Sequence, residues 1–296
     1  MAEPPTPYTR ETVPVTGGDL TVGVWGSDGP LVVAAHGISS HHRSWTLVGA
    51  ELGRDHRFVG VDLRGRGGSR DLPPPYGMSA HAADLAAVIR AYGPPAILVG
   101  HSMGGFTVAQ TVREHPDLVT RAVLVDGGAP LPLPEGIGDD PDAQEEALGA
   151  LIGPALARLS MTFASYEDYR EFWKKHPAFA QWHPVMDDYS DYDLTGAPPE
   201  LRPACQPEAA LRDAYDLYNR ELAAAALARP SVFLRAERGV LDQPDEPMYE
   251  PGRASRWLPG VVESTVAGVN HYTITLSDAG AAAVIDAVRN PPLPSI

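Results

Sequence analysis

"LVGHSMGGFTV" (residues 98–108) places Gly100, Ser102, Gly104 and Gly105 within six positions of an otherwise apolar run. A junction from strand to helix can be built with one glycine, so three around one serine indicate a tighter demand. Gly100-His101-Ser102-Met103-Gly104 fits the pattern G-x-S-x-G. The run at 96–100 reads as a strand before it and residues 102–115 as a helix after it, which is the context this pattern requires. A side chain two positions before or after the serine would collide with the neighbouring strand and helix, so glycine is needed at both places. Gly105 is expected to let the helix pack closely on the sheet. Such a turn presents the Ser102 hydroxyl above the sheet edge.

The rhythm around this stretch is that of alternating strands and helices. Residues 20–25, 30–37 and 56–65 read as strands, with a helix at 44–54 between the last two. Residues 78–93 read as a helix, with Ser79 as its N-cap and Gly93 at its C-terminus. Strands follow at 121–128, 230–237 and 260–269, and a last helix at 273–289. This alternation predicts an α/β fold with a mostly parallel central sheet flanked by helices on both faces. The rhythm fails between about 130 and 227. Nine of the chain's 22 aromatic residues lie between 160 and 192, which argues for a packed insertion rather than a linker. Within it "SYEDYREFWKK" reads as a helix, with Ser165 and Asp168 spaced as a capping box. The expected organisation is a core of residues 1–129 and 228–296, interrupted by a mainly helical cap at 130–227.

Composition narrows the function classes. The 296 residues carry a formal net charge of -15 and show no basic stripe, so nucleic acid is not an expected partner. Acidity of this kind reads as a solubility feature. One cysteine, Cys205, excludes an intramolecular disulfide and a Cys-pair metal site. The N-terminus "MAEPPTPYTR" has no apolar h-region, and no apolar run approaches the roughly 18 residues of a membrane span. The expectation is a soluble, cytoplasmic protein without membrane contact. His41-His42 is the one adjacent histidine pair, and no H-E-x-x-H pattern occurs, so no metal and no cofactor are expected.

A serine hydroxyl is a weak nucleophile and needs a base. Of the ten histidines, His115, His176, His183 and His271 follow Ser102. His115 lies 13 residues down the same helix, about 20 Å away at 1.5 Å per residue. His176 and His183 each precede a proline inside the insertion, where structural roles are expected. His271 sits between the last strand and the last helix, at the sheet edge where Ser102 emerges, and is the expected base. Two carboxylates compete to orient it. Asp242 follows the strand at 231–236 and is the expected acid; Asp126, at the end of the strand after the serine's helix, is the alternative. Asp245 and Glu237 are weaker neighbours. The oxyanion donors are expected to be the N–H groups of Met103 and of Ile38, the latter in the loop after the strand that ends at His36-Gly37. His36 is expected to be structural.

Taken in order, "HGISSHHRSW", "VDLRGRGGS", "GHSMGG", "LVDGG" and "VNHYTI" resemble the α/β-hydrolase superfamily, over about residues 15–290. Residues 130–227 stand where that family carries its cap. "DLRGRGGS" (62–69) resembles the family's D-x-R-G-x-G-x-S turn, whose role is structural. "ERGVLD" carries extra residues relative to the usual G-x-x-D spacing before the acid. Epoxide hydrolases and dehalogenases of the family have aspartate at the nucleophile position, so serine points elsewhere. The resemblance implies acyl chemistry, a carboxylic ester or lactone being cleaved through an acyl-enzyme. Carbon–carbon bond hydrolysis or perhydrolysis on the same triad is a second reading, and a slow ligand receptor a third. Trp173 and Trp182 are expected to line the substrate pocket.

Overall fold

Leu31, Val33 and Ala35 point into one hydrophobic core, and Val32 and Ala34 into another. That period of two, with both sets apolar, marks a strand buried on both faces. A computed structural model describes residues 6–131, 156–218 and 227–290. It shows an eight-stranded sheet ordered β1-β2-β4-β3-β5-β6-β7-β8. The strands are β1 (Tyr8–Val15), β2 (Gly18–Trp25), β3 (Leu31–Ala35), β4 (Arg57–Val61), β5 (Ala96–His101), β6 (Val119–Val125), β7 (Ser231–Arg238) and β8 (Val262–Asn270). From β4 through β8 every neighbouring pair is parallel, whereas β1–β2 and β2–β4 are antiparallel. The α/β, mostly parallel architecture is therefore as expected. β1 was not anticipated, because its charged residues lie on a mostly exposed edge and carry no core pattern.

Helices α2 (Met78–Tyr92) and α3 (Met103–Glu114) cover one face; α1 (Thr46–Leu52) and α7 (Asp278–Arg289) cover the other. α2 has its N-cap at Gly77, two residues before the expected Ser79, which does not cap it. The Ser79 hydroxyl instead donates to Glu114 Oε1 at 2.7 Å, tying α2 to α3.

Between β6 and β7 the described residues 156–218 form α4 (Tyr166–Lys174), α5 (Val185–Tyr192), α6 (Pro207–Asp216) and a short ladder of Leu194–Thr195 with Arg202–Pro203. Ser165 caps α4 by accepting from the Asp168 N–H at 3.1 Å, as its sequence predicts. Phe163, Tyr169, Trp173, Phe179 and Tyr189 build a separate core cluster that closes onto Leu276, at the end of the short helix Thr273–Leu276 that follows β8. Tyr192 donates to Asp62 Oδ2 at 2.7 Å, and Arg43 pairs with Asp188, which anchors this layer over the carboxyl ends of the strands. Stretches 132–155 and 219–226, at the two expected limits of the insertion, lie outside the described residues. Among the described residues no helix is long and apolar enough to cross a membrane.

Candidate active site

The parallel strands deliver the ends of β3, β5, β6 and β8 to one edge of the sheet, and each end carries a residue of the site. β5 runs into Ser102, whose backbone sits at φ 53, ψ -123. For a residue with a side chain this conformation is strained, and the surrounding glycines make it possible. A Cβ on Gly100 would lie 2.2 Å from the Gly104 carbonyl oxygen, and one on Gly104 would lie 2.1 Å from that of Ala35. Strand, turn and helix are thus pressed together more closely than any side chain allows, and the Ser102 hydroxyl is left at the apex.

His271 follows β8. Its Nε2 lies 3.1 Å from Ser102 Oγ and its Nδ1 lies 2.7 Å from Asp126 Oδ2. A carboxylate only accepts, so Nδ1 carries the proton and donates, which leaves Nε2 free to accept from the serine. Asp126 leaves β6 at φ 46, with its N–H donating to the Leu234 carbonyl at 2.7 Å. Its Oδ1 accepts from the Ala236 N–H at 3.0 Å, so the carboxylate is held on β7 while Oδ2 reaches over to His271.

Asp242, the acid expected from the sequence, does not meet His271. It accepts from Asn270 Nδ2 at 2.9 Å and pairs with Arg238 Nε at 2.8 Å, with about a third of its side chain exposed (31%). The reason is the length of "ERGVLD": β7 continues to Arg238, and a turn in which the Asp242 N–H donates to the Gly239 carbonyl carries the carboxylate past the histidine. The alternative, Asp126, takes the place beside His271. Its contact with Asn270 makes Asp242 a brace for the loop that carries His271.

Met103 heads α3, where no preceding turn supplies an acceptor for its N–H. Ile38 lies in the loop after β3, and the peptide that bears its N–H is firmly oriented. The Gly37 carbonyl of that peptide accepts from His36 Nδ1 at 2.7 Å and from the Ser40 N–H at 3.1 Å. His36 Nε2 in turn accepts from the Leu63 N–H at 3.0 Å. Burial pulls the His36 pKa down to about 3, so the ring stays neutral and this tautomer is kept. His36 is structural, as expected, but the structure it serves is the loop beside the serine.

His101 was not singled out in the sequence. Its Nε2 donates to the His271 carbonyl at 2.7 Å, and the two rings pack with centroids 4.8 Å apart. Burial first, and then the neighbouring His271, push its pKa well below the ordinary histidine value. A neutral His101 therefore pins the backbone of His271 without adding a charge. The position immediately before the serine was its one signal in the sequence. His176 and His183 accept from the N–H groups of Ala178 and Val185, which fits the structural roles expected of them. His42 Nδ1 donates to Asp62 Oδ1 at 2.7 Å, and His42 Nε2 accepts from the Tyr8 hydroxyl at 2.9 Å. Among the described residues no group of three His, Cys, Asp or Glu side chains is placed to hold a metal ion.

A cavity of about 230 Å³ opens over Ser102 and His271, with Ile38, Trp173, Leu217 and Met248 among its walls. Trp173 is among the residues that line it. Trp182 does not: it faces a separate crevice, of about 330 Å³, shared with Arg238 and Asp242. The difference follows from α4, which turns Trp173 inward into the aromatic cluster, whereas Trp182 lies beyond the helix and bonds Asp187. Trp173→Ala is expected to lower stability by about 3–5 kcal/mol and, with the ester hydrolase activity proposed below, to shift preference toward bulkier acyl groups. Trp182→Ala is expected to leave that preference unchanged. Thermal melts and kcat/KM for short and long p-nitrophenyl esters read the two effects separately, and a preference that moves with Trp182 alone would reverse the assignment.

The comparisons agree with this architecture. The model of the alpha/beta hydrolase fold family matches residues 30–187. Fluoroacetate dehalogenase of Burkholderia sp is 30% identical over 200 residues, which is 56% of this chain and 64% of that protein. Lipase LipV of Mycobacterium tuberculosis is 34% identical over 110 residues, 36% of this chain and 41% of that protein. The matches thus span less than two thirds of the length of these relatives. The crystal structure of E-2-(acetamidomethylene)succinate hydrolase superposes with a TM-score of 0.75 over 96% of this chain and 98% of that one, at 23% identity, a likeness of fold.

Proposed function

Since the chain belongs to the α/β-hydrolase fold family, we propose that it is a serine hydrolase of uncharged carboxylic esters or lactones, acting through Ser102, His271 and Asp126. The observation that carries this reading is the unbroken hydrogen-bonded line from Asp126 through His271 to Ser102 at the floor of the cavity. In it Ser102 Oγ attacks the acyl carbon while its proton passes to His271 Nε2. Asp126 stabilises the imidazolium so formed, and the N–H groups of Met103 and Ile38 receive the oxyanion. Collapse of the tetrahedral species expels the alcohol, which takes the proton from His271 and leaves the acyl group on Ser102. Water then attacks the acyl-enzyme, giving its proton to His271. The acid departs and the proton returns to Ser102, so that ester and water become acid and alcohol. Residues 130–227 act in this reading as the cap over the site.

Serine rather than a carboxylate at position 102 favours acyl transfer over displacement at saturated carbon. A serine that displaced a halide would be left as an ether, which water does not readily cleave, whereas an acylated serine is an ester that it does. The walls of the cavity support the limit to uncharged substrates. Its described lining residues include no Arg, Lys, Asp or Glu. Arg158, behind the Ser39 carbonyl, is already paired with Asp193 at 2.6 Å.

p-Nitrophenyl butyrate and p-nitrophenyl hemisuccinate test this, since their acyl chains match in length and differ by a terminal carboxylate. Turnover of the butyrate is expected, unchanged by EDTA. The hemisuccinate is expected to show kcat/KM lower by about 10²-fold or more, because burying an unpaired carboxylate costs several kcal/mol and each 1.36 kcal/mol is tenfold. Preference for the hemisuccinate would overturn the assignment of a neutral pocket. Activity lost to EDTA and restored by a divalent ion would overturn the metal-free triad.

A further inference from the structure

Arg66 stands at the second of the three open positions of the D-x-R-G-x-G-x-S turn, and its side chain is completely buried (0% exposed). Its guanidinium makes four contacts. Nε donates to the Ile38 carbonyl at 2.9 Å, Nη1 donates to the Arg64 carbonyl at 2.9 Å and to Asp213 Oδ2 at 2.5 Å, and Nη2 lies 3.8 Å from Met103 Sδ. Ile38 and Met103 are the two residues whose N–H groups are read above as oxyanion donors. One planar cation therefore spans both of them from behind. The peptide before Ile38 is held through the Gly37 carbonyl by His36 and Ser40, and the peptide after it is held through the Ile38 carbonyl by Arg66. With both flanking carbonyls fixed, the rotation of the Ile38 N–H is fixed as well.

Arg66 is aimed by a residue of the insertion. Asp213 lies on α6, is also fully buried (0%), and accepts from the Gly77 N–H at 2.6 Å and from His81 Nε2 at 2.8 Å as well as from Arg66. A guanidinium fork offers several donors in one plane and so can join a carboxylate on one element to a carbonyl on another. We propose that Arg66 and Asp213 are positioning residues, a clamp by which the seated α6 segment holds the two oxyanion donors in register. The clamp touches no substrate. It acts through Ile38 and Met103, and it rests on the assignment of Ser102 as nucleophile.

The test compares the double variant Arg66→Met/Asp213→Asn, which removes both buried charges together, with Arg66→Lys and with the control Asp84→Asn. Asp84 pairs with Arg64 at 2.7 Å, a pair nearly as buried (3% each) with no side-chain bond to Ile38 or Met103. The measurements are thermal melting, kcat and KM on p-nitrophenyl butyrate, and inhibition by a trifluoromethyl ketone, whose adduct with serine mimics the tetrahedral species. Removing one oxyanion donor costs about 10²–10³ in kcat. The double variant is expected to lose about 10²-fold in kcat with KM little changed, and to bind the ketone more weakly in the same proportion. Arg66→Lys, which cannot reach the Ile38 carbonyl and Asp213 at once, is expected to show a smaller loss of the same pattern. Asp84→Asn is expected to lower the melting temperature and leave kcat and ketone affinity alone. Wild-type kcat and ketone affinity in the folded double variant, or in Arg66→Lys where the double variant fails to fold, would overturn the clamp, as would the same kinetic loss in Asp84→Asn. Labelling of the wild type at Ser102 by a fluorophosphonate separates the two assignments. If Ser102 is not labelled, the nucleophile assignment falls and the clamp with it; if it is labelled and the variants behave as wild type, only the clamp falls.

Discussion

Ser102→Ala is expected to remove about 10⁶-fold of kcat, the scale seen when a triad serine is lost, while the protein remains folded. The turn around Ser102 is built by glycine contacts that do not involve the hydroxyl, and alanine meets the same backbone demands at φ 53 as serine does. The hydroxyl's single side-chain partner is His271 Nε2 at 3.1 Å, so its removal leaves no buried charge unpaired. Thermal unfolding should be nearly unchanged, or slightly improved where active-site strain is relieved. A fluorophosphonate probe should label the wild type and not the variant. Labelling that persists in Ser102→Ala would place the nucleophile on another residue.

Asp126→Asn is expected to lower kcat by about 10⁴-fold, the loss associated with the isosteric change of a triad aspartate. The mechanism is visible in the two partners of the carboxylate. Oδ1 accepts from the Ala236 N–H and Oδ2 from His271 Nδ1, and an amide has one oxygen for these two donors. When its oxygen serves Ala236, its NH₂ group faces His271 and forces Nδ1 to accept. The proton then sits on Nε2, the nitrogen that must take a proton from Ser102. With the amide turned the other way its oxygen serves His271 but its NH₂ faces the Ala236 N–H, and that buried donor left without an acceptor costs about 1–3 kcal/mol of stability. Asp242→Asn retains an oxygen for Asn270 and is expected to stay within about tenfold of wild-type kcat, since it acts on the loop and not on the ring. A large kcat loss in Asp242→Asn with wild-type turnover in Asp126→Asn would show that the pairing seen here is not the one that works.

These two variants also mark the boundary of what can be read along the chain. The serine turn is local. Its glycines are required by contacts among residues close in sequence or on the adjoining strand, so the motif carries its own geometry. The central strands β3 to β7 were legible because both of their faces are largely buried and apolar, and the charged edge strand β1 was not, because its exposed face carries no such pattern. His271 followed from chain order and from the rule that parallel strands open their loops at one edge. The acid did not follow from these rules, since Asp126 and Asp242 both lie near that edge. Which one meets the histidine depends on how far β7 runs before it turns, and on a 2.7 Å reach from β6 over a neighbouring strand. The sequence likewise announced a packed insertion through its aromatics but could not say which tryptophan faces the cavity, because that depends on how α4 seats. The same holds for Arg66 and Asp213, which are 147 residues apart and carry no mark in the sequence beyond their charge. Local sterics and the period of apolar residues are properties of short segments, so the chain alone determined the fold, the serine turn and its histidine. The partner of a buried charge is a property of packing, and only the tertiary structure decided which carboxylate meets His271, which tryptophan walls the cavity and which arginine lies behind Ile38 and Met103.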